Sequence, residues 1–199
     1  MLINGEAVLG RIIFAHGAGA GMRSDFMQDM TMKMVEAGFQ VVRFEFPYMQ
    51  KMSAGESRRP PDRMPKLIEY FDGLIGTFED DVPLYLAGKS MGGRVASMLA
   101  SNANIKGCFV FGYPFHPAVK PEKLRTEHLL AVDTPIHIFQ GTRDRMGSFP
   151  EVSAYNLSPS VSIHWLEDGD HDLKPRKASG YTQNSHQNHI VSFIKNWVN

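Results

Sequence analysis

The sequence predicts an α/β fold, a mostly parallel sheet of about six strands covered by helices on both faces. Three observations predict it. Short apolar runs bounded by turn residues recur at the length of buried strands. Between them lie stretches whose apolar residues are spaced three and four apart, as a helix face requires. Alternating elements of these two kinds imply right-handed crossovers, which lay the strands parallel. With 199 residues, 43% of them hydrophobic, the chain can bury one core, and a single domain over 1–199 is expected.

In order, GRIIFAHG opens the sheet, and 25–37 follows as a helix with Phe26, Met30 and Met34 along one side. Met22, Met27 and Met32 belong to the same methionine-rich stretch and read as flexible core filler. FQVVRFEFP is the second strand; after it, 49–65 is polar and Pro-rich and reads as a long exposed loop. Leu67, Ile68, Phe71, Leu74 and Ile75 mark a helix over 65–79. PLYLAGKS is the third strand, and GGRVASMLASN behind Ser90 is helical. IKGCFVFGYP is the fourth strand. The segment 112–135 has room for one short helix around 121–130 and none for a large lid domain. PIHIFQGTRD and VSIHWLEDGD are the fifth and sixth strands, and 184–198 closes the chain as a helix through Ile190, Phe193, Ile194 and Trp197.

Lys plus Arg and Asp plus Glu both number 21, so no net charge argues for nucleic acid or an anionic membrane surface as a partner. The opening MLINGEAVLGRIIFAHG has no basic leader, carries Glu6 and Arg11 inside its apolar stretch, and falls short of a membrane span. Cys108 is the only cysteine and lies in CFVFG, where an inert buried thiol is expected. These features predict a cytoplasmic protein.

In such sheets the chemistry collects at the carboxyl ends of the strands. There the sequence places HGAGAGM, KSMGGR, GTRDRMG and EDGDHD. The stretch GKSMGGR admits two parses. As the end of a phosphate-binding loop it needs a glycine five positions before Gly88, where Pro83 stands, and Leu84 to Ala87 read as strand. As a nucleophile elbow it needs small residues two positions either side of Ser90, and Gly88 and Gly92 supply them. Alone, the motif also allows Ser90 to be a helix cap. A serine nucleophile needs a base that is itself oriented by an acid. In the order Ser, Asp, His the sequence offers Asp144 after the fifth strand and His171 after the sixth. Asp168, Asp170 and Asp172 read as turn caps or solvated carboxylates rather than metal ligands. His186 and His189, three apart on the last helix, read as solvent-exposed. No metal or cofactor is expected.

The segments GKSMGG, QGTRD and DGDHDL resemble the nucleophile, acid and histidine segments of the α/β-hydrolase superfamily, in its small lidless branch near the dienelactone hydrolases. More closely, FAHGAGAGMRSDFM, GKSMGGR, FGYPFHP, QGTRDRMG and GDHDLKPRK are similar to a family of small predicted hydrolases, which also includes a subunit of a eukaryotic histone-acetylating complex. That similarity covers nearly the whole chain. It implies the α/β-hydrolase fold and a triad of Ser90, Asp144 and His171. Because the chain starts close to its first core strand, the leading antiparallel strands of larger members are expected to be missing. An oxyanion hole takes the N–H after the nucleophile and one from the loop after an earlier strand. Met91 is the first by position; Ala18 is the second, with Gly17 as the alternative. A dinucleotide reading of HGAGAG, with Glu45 as the ribose acid, meets Met22 where the last glycine belongs and leaves Ser90, Asp144 and His171 without a role.

The expected function is hydrolysis of a small ester or related acyl compound through an acyl-enzyme on Ser90. An interaction module on the same fold is the rival. Basic residues fall in the strand-end loops, Lys89, Arg143, Arg145, Lys174, Arg176 and Lys177 among them. They point to a positive mouth that prefers an anionic substrate, against a solvated rim whose charges cancel. Tyr48, Met49, Tyr113, Phe115 and His116 follow the second and fourth strands and are expected to line the pocket.

Overall fold

The computed structural model describes residues 1–102 and 104–199. One sheet holds seven strands: β1 (Leu2–Asn4), β2 (Gly10–Ala15), β3 (Phe39–Phe44), β4 (Leu84–Lys89), β5 (Ile105–Phe111), β6 (Ile136–Gly141) and β7 (Val161–Leu166). Their order across the sheet is β1-β3-β2-β4-β5-β6-β7. Every neighbouring pair is parallel except β1 on β3. The six strands read from the sequence are β2 to β7. β1 corrects the expectation that no leading antiparallel strand is present, since Leu2 pairs with Arg43 and Asn4 with Val41. Three residues are too few for an alternating pattern to register.

The helices are α1 (Asp25–Glu36), α2 (Pro47–Ser53), α3 (Met64–Ile75), α4 (Met91–Leu99), α5 (Phe149–Val152) and α6 (Gln183–Val198). Three of them follow the predicted spacings: α1 buries Met27, Met30 and Met34, α3 buries Leu67, Phe71 and Ile75, and α6 buries Ile190, Val191 and Ile194. Met32 departs from the core-filler reading, being exposed on the far side of α1. The loop reading of 49–65 needs correction at its start, because α2 begins on Pro47, whose ring presets the helical φ, and buries Tyr48 and Met49. The helix expected around 121–130 is a single 3-10 turn, Glu127–Leu130. Among the described residues no inserted domain covers the carboxyl ends of the strands.

Successive strand residues point to opposite faces, so the sheet divides the core in two. Ile13 and Ala15 of β2 pack with α3 and α4, whereas Ile12 and Phe14 pack with α1 and α6. Here the topology creates a crevice. β2 lies between β3 and β4; the chain leaves β2 into α1 on one face and leaves β4 into α4 on the other, so their first turns diverge. That switch point brings HGAGAG beside Ser90.

Candidate active site

Ser90 joins β4 to α4 with φ 51° and ψ −116°, a left-handed conformation that L-residues seldom adopt. The turn closes only because its flanks lack side chains. A Cβ on Gly88 would strike the backbone of Gly92 and Gly93, and one on Gly92 would strike the carbonyls of Ala15 and His16. The serine hydroxyl is thereby held above the sheet edge, and its carbonyl accepts the Arg94 N–H (2.9 Å) to start the helix. Ser90 does not cap α4 through its side chain.

Its Oγ lies 2.7 Å from His171 Nε2, and His171 Nδ1 lies 2.7 Å from Asp144 Oδ2. Because the carboxylate only accepts, Nδ1–H donates to it and Nε2 is left to accept the serine proton. Asp144 is fully buried; its Oδ1 takes the Met146 N–H (2.8 Å) and its Oδ2 the Gln140 amide (2.8 Å). Gln140 is anchored in turn, with its carbonyl on the Tyr113 N–H at 2.7 Å. The three residues come from the ends of β4, β6 and β7, and the structure brings together all three that the sequence singled out.

Lys89 ties this chain to the sheet. Its Nζ donates to the His171 carbonyl (2.7 Å) and sits 3.2 Å from Asp172. Burial lowers its proton affinity, opposed by the charges of Asp172, Asp144 and Asp170. Gly112, at φ +68°, leaves room for that same carbonyl, since a Cβ there would collide with it. The His171 loop is clamped further by Asp168, which is buried, pairs with Arg176, and binds Arg143 Nε at 2.9 Å. The Arg176 hydrogen bond holds the Asp168 carboxyl down to about 2. Asp168 is thus an internal clamp, not a solvated carboxylate. Asp170 does cap a turn, accepting the Asp172 and Lys174 N–H groups at 2.9 and 3.0 Å. His186 also departs from the sequence reading: it is buried, with Nδ1 2.9 Å from the Leu173 carbonyl.

Met91, first residue of α4, carries an N–H that has no partner inside its own helix. Opposite it, HGAGAG is pinned from behind. His16 is buried, accepts the Phe46 N–H at Nε2 (3.1 Å), and so donates from Nδ1 to the Gly17 carbonyl (2.7 Å). Burial lowers its pKa, which keeps it in that neutral form. Tyr48 Oη donates to the Ala18 carbonyl (3.0 Å) and approaches that of Gly17 (3.3 Å). The Gly17 carbonyl and the Ala18 N–H share one trans peptide, so a carbonyl held back against His16 and Tyr48 turns that N–H the opposite way. This arrangement favours Ala18 over Gly17 as a donor toward Ser90.

Two cavities border Ser90. One, of about 720 Å³, includes Gly17, Ala18, Phe26, Lys89 and His171; the other, of about 330 Å³, includes Ala18, Met91, Arg94, Pro114 and Arg125. The expected lining of Tyr48, Met49, Tyr113, Phe115 and His116 is corrected: all five are buried in the core, where their bulk packs better than at an open wall. Some of the loop cations have acidic neighbours. Lys89 faces Asp172, Arg143 and Arg176 share Asp168, Arg59 pairs with Glu56, and Asp25 and Asp29 border the larger cavity with Lys174. Among the described residues no group of three or more His, Cys, Asp or Glu is placed to hold a metal, and no helix is long and apolar enough to cross a membrane.

A family profile described as an alpha/beta hydrolase domain matches residues 9–199. No curated protein matches the chain. Among solved structures, an esterase from Pyrococcus furiosus is similar at a TM-score of 0.71 and 17% identity, covering 96% of this chain and 84% of its own. A dienelactone hydrolase from Anabaena variabilis is similar at 0.69 and 17%, covering 94% and 84%. A monoacylglycerol lipase from Paleococcus ferrophilus is similar at 0.70 and 13%, covering 99% and 96%. At these identities the likeness is one of fold.

Proposed function

Since the chain belongs to the alpha/beta hydrolase domain family, we propose that it is a serine hydrolase that cleaves a small ester through an acyl-enzyme on Ser90. The observation that carries the reading is the unbroken run of hydrogen bonds, 2.7 and 2.7 Å, from a strained serine through His171 to a buried Asp144. His171 takes the Ser90 proton as Oγ attacks the carbonyl carbon, and Asp144 stabilises the imidazolium that forms. The Met91 and Ala18 N–H groups receive the oxyanion, helped by the positive end of α4. The C–O bond to the alcohol breaks, and the alcohol leaves with the proton from His171. Water, deprotonated by the same histidine, then releases the acid. No metal or cofactor enters these steps. The reading includes a cytoplasmic location, supported by a lone cysteine, Cys108, that is buried and unpaired.

A fluorophosphonate probe tests it. The wild type should be labelled and should hydrolyse p-nitrophenyl butyrate, and Ser90→Ala should do neither. No labelling of the folded wild type, or labelling that survives Ser90→Ala, would leave an interaction module as the better account.

A further inference from the structure

The two cavities at Ser90 serve different halves of an ester. A departing alkoxide must take its proton from His171 Nε2, so the alcohol occupies the larger cavity, which contains His171. The smaller cavity lacks His171 and holds Met91, whose N–H faces the oxyanion, so the acyl chain extends there. Part of its wall is apolar, with Pro61, Met64, Leu67 and Pro114. Two guanidinium groups complete it.

Arg94 stands one turn along α4 from the nucleophile, and Arg125 precedes the 3-10 turn, its N–H on the Phe115 carbonyl (2.8 Å) and its carbonyl accepting from Tyr113 Oη (2.6 Å). Both side chains are half-buried. Among the described residues neither guanidinium makes an ion pair; Arg94 reaches only the neutral Tyr113 hydroxyl, and its Nε is buried without a partner. By contrast, Arg11 forks onto Asp80 at 2.8 and 2.9 Å, and Arg143 and Arg176 share Asp168; Arg43 and Arg59 also keep a buried Nε without a partner, but Arg43 donates to Asn4 and the Met22 carbonyl and Arg59 pairs with Glu56. Among the described residues lining this cavity the one acid, Asp62, is already taken by Lys66 (2.8 Å) and the Tyr48 N–H (3.0 Å). The Arg94 charge is felt by its neighbours, since Arg125 is pushed down by burial and then by Arg94, and His128 to about 4 by the same two causes. Two cations set side by side in a partly dry cavity raise the energy of the empty site, and an anion that forks onto both relieves it.

We propose that Arg94 and Arg125 bind a carboxylate at the far end of the acyl chain, so that the substrates are half-esters of short dicarboxylic acids. The proposal rests on the acyl-enzyme reading for the direction of the chain. Ser90 Oγ bonds to the ester carbon and the alcohol departs. The acyl group stays attached, with its free carboxylate on the two arginines, until water releases the dicarboxylic acid.

Wild-type kcat/KM for the p-nitrophenyl monoester of glutaric acid is compared with that for p-nitrophenyl pentanoate. The charged ester should be favoured by about tenfold or more, the preference should shrink with added salt, and Arg94→Met or Arg125→Met should bring the ratio close to one. Circular dichroism establishes that each variant folds; where one does not, the wild-type ratio and its salt dependence decide. Independently of chemistry, calorimetry on Ser90→Ala should show binding of monoethyl glutarate and none of ethyl pentanoate. A ratio near one in an active wild type overturns the carboxylate subsite and leaves the hydrolase standing. Glutarate binding by a protein that turns over no ester upholds the subsite and overturns the acyl-enzyme. Neither turnover nor binding overturns both.

Discussion

At Ser90 the backbone adopts φ 51°, which costs a non-glycine residue about 1–3 kcal/mol, and the surrounding turn holds it there. Such strain is sustained where it aims a side chain. Under the proposed mechanism, Ser90→Ala and Asp144→Asn should each lower kcat roughly a thousandfold or more, with the melting temperature little changed. A drop of less than tenfold for Ser90→Ala would remove it as nucleophile. Lys89 acts through another residue, because its Nζ holds the His171 carbonyl rather than the reacting atoms. Lys89→Met keeps an unbranched apolar side chain in place and removes the donor. The expected result is kcat down by about ten- to a hundredfold with KM for a neutral ester unchanged, the signature of a misplaced base. A KM change alone would assign Lys89 to binding. Ser90, Asp144 and His171 were legible because each lies in the loop just beyond a strand and the chemistry demands their residue types. The supports were not. Lys89, Gln140 and His16 act on backbone or on groups distant in the chain, and Arg94 and Arg125 matter for the partners they lack, which no linear pattern encodes.

Two elements hold the site in place, the β4–α4 turn and the loop after β7. Gly92 packs directly on the end of β2, so Gly92→Ala forces that turn away from HGAGAG. It should cost about 1–3 kcal/mol as an overpacked core site does, and should cut fluorophosphonate labelling far more than its loss of stability explains. Labelling at the wild-type rate would show that the turn yields without moving Ser90. In the loop after β7, Asp168 draws Arg143 and Arg176 together beneath His171. Its folded-state pKa, about 2, lies below the usual carboxylate value. The stability it supplies is therefore present above about pH 4 and lost as pH falls toward 2. Asp168→Asn should lower the melting temperature at neutral pH, and the gap to wild type should close across that acid window; a gap independent of pH would refute the electrostatic account. The strands β2 to β7 and helices α1, α3, α4 and α6 were readable because each presents enough residues for its period to show. β1 and α2, at three and seven residues, do not, and their formation depends on docking to β3 and to the core.

Over the whole molecule, the sheet separates two helical layers, and each layer encloses a histidine kept neutral. His128 lies on the α4 side, 2.8 Å from Ser97 Oγ. His137 lies on the α6 side, stacked on Phe109, edged by Phe193 and Trp197, and 3.1 Å from His164 of β7. The strand pattern hid His137, because IHIFQ reads as buried whichever residue occupies its second position. Both histidines are pushed down to about 4, His128 by burial and then Arg94, His137 by burial and then His164. The unfolded chain binds these protons near the ordinary value of about 6.5, whereas the folded protein resists them until about 4. Between those limits the unfolded state carries more protons, so stability falls as pH drops through the window. Thermal melts of the wild type should begin to decline near pH 6.5, above the range around 4 where ordinary carboxylates protonate. His137→Phe keeps an aromatic surface against Phe109 and Trp197 and removes one of these sites, so its decline should be visibly shallower. If wild type and variant fall with the same slope, the acid sensitivity originates outside the aromatic layer beneath α6.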